Sequence, residues 1–222
     1  MKIAIIGSGI AGLTCAWRLA AQHQVTLFEA ASTPGGHTAT VDIATPQGTW
    51  AIDTGFIVYN DRTYPHFIGL LSELGIRGQK TQMSFSVHNP QSGLEYNGHS
   101  LSSLFAQRRN LLKPAFWGLL REIVRFNRLA KQALGGAFDP AATLQTFLER
   151  HRFSPFFARH YILPMGAAIW SSSLQEMRRF PLALFLRFFD NHGLLDIRQR
   201  PQWYVVPGGS REYVRALLVR SG

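Results

Sequence analysis

The chain has 222 residues, of which 46% are hydrophobic and 16% charged, and its formal net charge is +10. This composition predicts a globular chain with a packed core and excludes an intrinsically disordered protein. The single cysteine, Cys15, excludes an intrachain disulfide and favours a reducing compartment such as the cytoplasm. The excess of basic residues lies after residue 60, which indicates an acidic partner surface for the later part of the chain.

The first thirty residues have the pattern of a βαβ unit that binds a dinucleotide. An apolar run at residues 2–6 predicts the first strand, a helix is predicted from about residue 10 to 21, and a second apolar run ends in an acid. The glycines of the turn and the acid are Gly7, Gly9, Gly12 and Glu29. The agreement of strand, helix, spacing and acid favours a dinucleotide site over an ordinary glycine-rich loop.

Each residue of this pattern has an expected role. Gly7 permits the tight turn, Gly9 lets the backbone approach a pyrophosphate, and Gly12 lets the helix pack close to the strand. The pyrophosphate would then meet the free N–H groups and the positive end of the helix dipole. Glu29 is placed to accept a hydrogen bond from a ribose 2′-hydroxyl, which makes NADP the least favoured dinucleotide.

A glycine pair and a hairpin follow the βαβ unit. Gly35 and Gly36, followed by His37 and Thr38, form a loop that uses backbone conformations open to glycine. Residues 40–44 and 49–53 alternate around a turn, as expected for a β-hairpin that leads into the segment Asp53-Thr-Gly-Phe-Ile-Val-Tyr-Asn60.

Together these motifs resemble those of the flavin-containing amine oxidase superfamily, which includes monoamine oxidases, protoporphyrinogen oxidases and phytoene desaturases. The chain is most similar to a bacterial branch described as predicted NAD/FAD-binding oxidoreductases, and residues 83–87, 104–110, 163–171 and 191–195 extend the likeness. The resemblance implies an α/β fold: an incomplete Rossmann-type FAD-binding domain at 1–61 and 199–222, with an inserted, mainly helical substrate domain at 62–198.

Two departures from the superfamily pattern qualify this resemblance. His37 stands where the superfamily often has an arginine, so a contact to the cofactor there would depend on pH or be a plain hydrogen bond. Members of the superfamily are also about twice as long, and we expect this chain to be an N-terminal fragment.

The resemblance implies the site residues, and FAD as the cofactor. The expected cofactor-binding residues are Gly7, Ser8, Gly9, Ile10, Ala11, Gly12, Glu29, Ala30, Gly35, Gly36, His37, Thr38, Thr54, Gly55 and Phe56. Tyr59, Asn60, Trp170 and Ser171 are candidates for the substrate chamber, although packing in the core is the more common role for aromatic residues in apolar segments. The sequence identifies no catalytic base and no metal ligands at a recognisable spacing.

Helices dominate the middle of the chain. They are predicted at 64–74, ended by Gly75, at 101–134 with an interruption near Pro114, and at 143–150, 155–162 and 181–191. Strands are predicted at 83–87, 94–96 and 203–206, and a last helix begins after Gly208-Gly209-Ser210.

The function implied is that of an FAD-dependent oxidoreductase that moves a hydride from a hydrophobic or lipid-like small molecule to flavin. Two alternatives stay open: a non-catalytic binding or scaffold protein that keeps a dinucleotide fold, and an NAD-dependent dehydrogenase.

The helix from Leu112 to Leu134 is amphipathic, with an apolar side and a side that carries Arg121, Arg125 and Arg128. One interpretation is an ordinary solvated face. The other is that these arginines, with Arg108, Arg109 and Lys113, contact an anionic membrane surface. We expect a cytoplasmic protein that can bind the inner membrane face peripherally, and no nucleic-acid partner, because no recognition module accompanies the charge.

Overall fold

A computed structural model describes residues 1–98, 100–196 and 200–221, and it separates into two compact units. The first unit comprises residues 1–82 and 202–222, and the second comprises residues 83–201. Residues 1–82 contain β1 (Lys2–Ile6), α1 (Ile10–Ala20), β2 (Gln24–Phe28), β3 (Thr40–Thr45), β4 (Gly48–Asp53), β5 (Tyr59–Asn60), α2 (Pro65–Leu74) and β6 (Gln79–Thr81). Residues 83–201 contain β7 (Ser86–Asn89), β8 (Leu94–Asn97), α3 (Leu101–Leu104), α4 (Pro114–Leu134), α5 (Leu144–Arg150), α6 (Pro155–Phe157), α7 (Leu163–Trp170), α8 (Leu174–Arg178) and α9 (Leu182–Asn191). Residues 202–221 contain β9 (Trp203–Val205) and α10 (Arg211–Ser221).

The first unit is built on the predicted βαβ arrangement. Strands β1 and β2 pair in parallel, from Lys2 opposite Gln24 to Ile6 opposite Phe28. A parallel pair needs a crossover connection, and α1 provides it. Strands β3 and β4 form the predicted antiparallel hairpin, and β9 lies between β5 and β6 in an antiparallel sheet. Helix α1 packs against α10, with Leu13 and Leu217 fully buried in the same cluster.

The structure differs from the predicted domain boundary at residue 62. Helix α2 buries Leu70, Leu71 and Leu74 in the same cluster as Leu13, and β6 pairs with β9. Residues 62–82 therefore pack within the first unit. The other predicted boundary, between 198 and 199, lies outside the described residues.

The second unit has a large apolar core built from aromatic side chains. Phe116, Phe126, Phe157, Phe185 and Phe189 are all at most 1% exposed. Phe185 stacks on Phe189 at a centroid distance of 4.1 Å, and the Phe126 ring lies 5.6 Å from that of Phe157. Helix α4 contacts both α9 and α6 around this core.

Several element boundaries differ from the sequence prediction. The strand predicted at 83–87 begins at Ser86. The interruption predicted near Pro114 is confirmed, and it divides residues 101–134 into α3, a 3₁₀ turn at 108–112, and α4, which begins at Pro114. The helix predicted to end at residue 162 continues through a π-helical turn at 158–162 into α7. Pro164 lies within this continuous helix and supplies no N–H to the His160 carbonyl four residues earlier, and the Tyr96 hydroxyl donates to that carbonyl instead. Cys15 lies in α1, where a small buried role is the usual one for a cysteine, but it is exposed.

Candidate dinucleotide site

The turn between β1 and α1 has the geometry that the three glycines predict. Gly7 has φ of +94°, which disfavours any residue with a side chain. A Cβ atom on Gly12 would lie 1.9 Å from the carbonyl oxygen of Gly7, so only glycine lets the helix pack this close to the turn. Gly9 differs, because its φ is −63° and nothing lies within 4 Å of a Cβ built there. Gly7 also has open space at its Cβ position, so Gly9 is the one glycine of this turn that combines open space with a φ that other residues readily adopt.

The N-terminus of α1 is suited to an anion. Gly9 is the N-cap, no side chain caps the helix, and the first turn has no acidic residue within the described part of the chain. The first N–H groups of a helix have no partner inside it, and Ile10 and Ala11, which carry two of them, are exposed. The open space over Gly9 and these N–H groups fit a pyrophosphate.

Ser8 connects this turn to both neighbouring segments. The residue is 1% exposed, and its N–H and hydroxyl both donate to Oε2 of Glu29, the former at 2.8 Å. The N–H of Gly35 donates to the Ser8 carbonyl at 3.0 Å and to its hydroxyl at 3.1 Å. The sequence predicted Ser8 as a cofactor-binding residue without assigning a role to its side chain, and in the structure this side chain joins the two glycine motifs.

Glu29 is held in an ionised state at the end of β2. Oε1 accepts a hydrogen bond from the N–H of Ala31 at 2.8 Å, and Oε2 accepts those from Ser8. The Ala31 N–H, followed by the Ser8 hydroxyl and N–H, lowers the pKa of Glu29 from 4.5 to about 2. An ionised carboxylate has about four acceptor positions, and the three donors from Ser8 and Ala31 occupy three of them. One position therefore remains for a further hydroxyl donor.

The glycine pair lies directly against the first turn. Gly35 has φ of +128° and bridges to Gly9, while Gly36 has φ of +60°. A Cβ atom on Gly36 would lie 3.1 Å from the Cα of Gly9. The two glycine motifs, which are separated by more than twenty residues along the chain, are therefore adjacent at the N-terminus of α1.

Residues 54–56 are positioned by the backbone of residues 37–39. The N–H of Phe56 donates to the His37 carbonyl at 3.1 Å, and the N–H of Thr54 donates to the Ala39 carbonyl at 2.8 Å. A Cβ atom on Gly55 would lie 2.0 Å from the His37 carbonyl oxygen, so glycine is required there. The side chain of His37 is exposed, and Ala30 is also exposed at the end of β2.

Contacts from α10 were not predicted from the sequence. Asp53 accepts hydrogen bonds from the N–H of Ser210 at 2.9 Å, from its hydroxyl at 2.8 Å, and from the Thr40 hydroxyl at 2.6 Å. Thr38 Oγ1 lies 2.5 Å from the hydroxyl of Tyr213. The Gly-Gly-Ser motif thus fixes the hairpin to the start of α10. The sequence around Asp53 carried no signal for this contact.

The candidate chamber residues Tyr59 and Asn60 lie in the first unit and have structural partners. Tyr59 is 4% exposed and stacks on Tyr204 at 5.6 Å. Oδ1 of Asn60 accepts the N–H groups of Arg62 and Thr63 at 2.9 and 2.8 Å, which shapes the loop before α2. The substrate role of both residues stays a prediction.

The other two candidates, Trp170 and Ser171, lie in the second unit. Trp170 packs among the aromatic side chains of the core, 4.5 Å from Phe180 and 4.7 Å from Phe188. Ser171 ends α7 with φ of +49°. Phe56 is likewise in an aromatic cluster, 5.3 Å from Phe67.

The buried tyrosines of the second unit cannot act as bases near neutral pH. The Tyr96 hydroxyl donates to the His160 carbonyl at 2.7 Å, and burial raises the pKa of Tyr96. Burial also raises the pKa of Tyr161 to about 12. Within residues 1–98, 100–196 and 200–221, no three His, Cys, Asp or Glu side chains are grouped to hold a metal ion.

The parallel βαβ unit and the paired glycine loops are those of a Rossmann-type fold. Residues 5–74 match the model of the NAD(P)-binding Rossmann-like domain. The whole chain is similar in fold to cyclohexylamine oxidase from Brevibacterium oxydans IH-35A, at 19% identity and a TM-score of 0.68, and covers 49% of that chain. It is also similar to putrescine oxidase bound to putrescine, at 18% identity and a TM-score of 0.62, covering 50% of that chain.

A third similar structure has a different activity. It is the CLA-producing fatty acid isomerase from P. acnes, at 16% identity and a TM-score of 0.54, with 98% of this chain and 49% of that chain covered. These likenesses show the fold, and the predicted fold of amine oxidases is confirmed. The chain spans about half the length of the structures it matches.

Proposed function

We propose that this chain forms the ADP-binding part of an FAD-dependent oxidoreductase, which transfers a hydride from a hydrophobic or lipid-like substrate to flavin. The observation that carries the proposal is the pairing of the two glycine loops at the uncapped N-terminus of α1, with open space over Gly9. The ionised Glu29 stands beside this space and would accept the ribose 2′-hydroxyl.

Each group would have a defined part in binding. The N–H groups of Ile10 and Ala11 would donate to the pyrophosphate, and Gly9 would let it approach. Glu29 would repel a 2′-phosphate, since both are anionic, which favours FAD or NAD over NADP. FAD supplies the hydride acceptor when bound, while the protein orients it and excludes water.

Exposed apolar surface on the first unit supports the proposal that binding needs more polypeptide. A parallel sheet is normally covered on both faces, yet Ile6 is 82% exposed and Phe28 51%. The hairpin of β3 and β4 also exposes apolar side chains. We call the side of the hairpin that carries Val41, Ile43, Trp50 and Ile52 the open sheet face, and these four side chains are between 46% and 55% exposed. Its other face holds Asp42, which Arg211 contacts through two hydrogen bonds of 2.7 Å.

We infer that further strands of a longer polypeptide cover the open sheet face, and that the 222-residue chain alone binds FAD weakly or not at all. The proposal is tested by the absorption spectrum of the full-length polypeptide and by identification of the chromophore it releases. Released FAD supports the proposal. Released NAD without a flavin band would favour a dehydrogenase, and no bound dinucleotide would favour a scaffold protein.

The role of Glu29 needs a test that separates ligand binding from its contacts with Ser8 and Ala31. ADP and 2′-deoxy-ADP are compared as ligands of the full-length wild type and of Glu29→Ala. In the wild type, loss of the 2′-hydroxyl should cost about 1–3 kcal/mol of binding free energy, because an ionised acceptor loses its donor. The same comparison should show little difference in Glu29→Ala. An equal loss in both proteins would show that Glu29 does not contact the ribose.

A further inference from the structure

Most of the positive charge belongs to the second unit. Residues 83–201 contain 15 lysines and arginines against 7 aspartates and glutamates, a net charge of +8, whereas the rest of the chain has 8 against 6. Between residues 101 and 134 there are seven basic residues and one acid, Glu122. Glu122 is engaged with Ser154, whose N–H donates to it at 2.8 Å.

Six of the seven basic residues of this segment fall into two groups, and the seventh, Lys113, is half-buried at the N-terminus of α4. Arg125, which the sequence placed on the exposed side, donates to the carbonyl of His151 and lies 4.5 Å over the ring of Phe153. Arg109 donates to the carbonyl of Gly93, and Lys131 pairs with Asp196 at 2.5 Å. These three are already used inside the second unit.

Three arginines remain available. Arg108, Arg121 and Arg128 are exposed, and within the described part of the chain no hydrogen bond, ion pair or ring contact involves their side chains. Arg121 and Arg128 lie two turns apart on α4, and Trp117 and Val124 share their stripe, because positions 117, 121, 124 and 128 follow the helical repeat.

Apolar side chains of the same segment are also exposed. Trp117 is 42% exposed and Val124 54%, and Leu112, just before α4, is 86% exposed. The Trp117 ring is held in place, because its Nε1–H donates to the Leu111 carbonyl at 2.9 Å and its ring lies 5.3 Å from that of Phe105. Aliphatic and indole groups between unpaired arginines are the composition of a helix that lies in a membrane interface.

We propose that the exposed stripe of α4, defined as Trp117, Arg121, Val124 and Arg128, binds the surface of a membrane that contains anionic lipids, together with Arg108 and Leu112 of the turn that precedes α4. The arginines contact the headgroups, and Leu112, Trp117 and Val124 enter the boundary with the acyl chains. A nucleic acid would use the same arginines but offers no apolar layer for Leu112 to enter. Among the described residues, no helix is long and apolar enough to span a bilayer, so the contact is with its surface.

The experiment is vesicle flotation of the 222-residue chain and of the full-length polypeptide. Vesicles of phosphatidylcholine mixed with phosphatidylglycerol are compared with pure phosphatidylcholine, at about 0.01 M and 1 M salt, where the Debye length is about 30 and 3 Å. The wild type should bind the anionic vesicles at low salt and lose most of this binding at high salt or on neutral vesicles.

Two matched triple variants locate the surface. R108Q/R121Q/R128Q should lower the partition coefficient about 100-fold, because each basic residue near an anionic surface contributes about fivefold. R150Q/R178Q/R179Q removes the same charge from exposed positions at the C-terminal ends of α5 and α8 and should retain most of the binding. Circular dichroism and thermal melting establish that both variants fold.

Entry into the lipid is measured separately. Brominated acyl chains should quench the fluorescence of the wild type but quench Trp117→Phe much less, and L112S/V124S should bind more weakly at equal charge. The proposal is overturned if the wild type ignores anionic vesicles at low salt, or if the two triple variants lose binding equally. It is also overturned if quenching is unchanged in Trp117→Phe, or if binding to duplex RNA shows the arginine dependence and vesicle binding does not.

Discussion

The two units of this chain bury their apolar residues to very different extents. The second unit encloses a core of stacked aromatic side chains, with Phe126, Phe157 and Phe185 fully buried. The first unit leaves the faces of its strands open, and relies on glycine turns and on polar contacts through Ser8 and Asp53. The second unit therefore closes its own apolar core, whereas the first unit leaves apolar strand faces exposed, as expected if further polypeptide covers them, which is the proposal made above.

The largest expected effect comes from emptying the core of the second unit. Phe185→Ala should lower the free energy of unfolding of this unit by about 3–5 kcal/mol, because it removes a large buried ring and leaves a cavity. Hydrogen exchange resolved by segment should show faster exchange in residues 83–201 and little change in residues 1–82. The control is Leu184→Ala on the same helix, where the side chain is 53% exposed. Equally faster hydrogen exchange in both units would contradict the claim that the second unit has a core of its own.

A smaller effect is expected from crowding the glycine turn of the first unit. Gly12→Ala places a Cβ atom 1.9 Å from the Gly7 carbonyl oxygen, so α1 or β1 must move, at a cost of about 2–3 kcal/mol. Exchange should accelerate in residues 1–82 and stay unchanged in the second unit.

Gly69→Ala in α2 is the control for that change. Nothing lies within 4 Å of its Cβ position, and alanine in a helix should raise stability by about 0.5–1 kcal/mol. A Gly12→Ala protein as stable as Gly69→Ala would contradict the close packing of α1 against the Gly7 carbonyl.

The smallest effect concerns the ionisation of Glu29. Its pKa is lowered to about 2, so the stabilisation it gives is fully present above its ordinary pKa of 4.5 and is lost as the pH falls through about 2. An NMR titration of the carboxyl carbon should give this low midpoint. Ser8→Ala removes one donor and should raise the midpoint, and an ordinary midpoint in the wild type would contradict the contacts with Ser8 and Ala31.

The sequence predicted the parts of the fold that depend on local pattern. Spacing and strand periodicity were enough for β1, α1, β2 and the first hairpin, because glycines and alternation act over a few residues. The position of α2 was not predictable, since its apolar face reads equally well as belonging to either unit. The break before α4 could be read from Pro114, which removes a backbone donor.

Side-chain contacts between distant segments could not be predicted. Nothing in the residues around Asp53 shows that Ser210, 157 positions later, supplies its donors. Likewise, helical periodicity placed Arg125 with Arg121 and Arg128, but a carbonyl and a ring from residues 151–153 hold it against the second unit. The cofactor role of the site residues is still a prediction.

Gly9 tests the central claim most directly, because its backbone is compatible with a side chain and the space above it is open. FAD content and affinity are measured for the full-length wild type, Gly9→Leu and the control Gly69→Leu, together with thermal melting of each. The account predicts that Gly9→Leu folds and melts like the control but binds FAD at least about 100-fold more weakly, because leucine occupies the pyrophosphate position. A Gly9→Leu protein that retains FAD at wild-type affinity would contradict it.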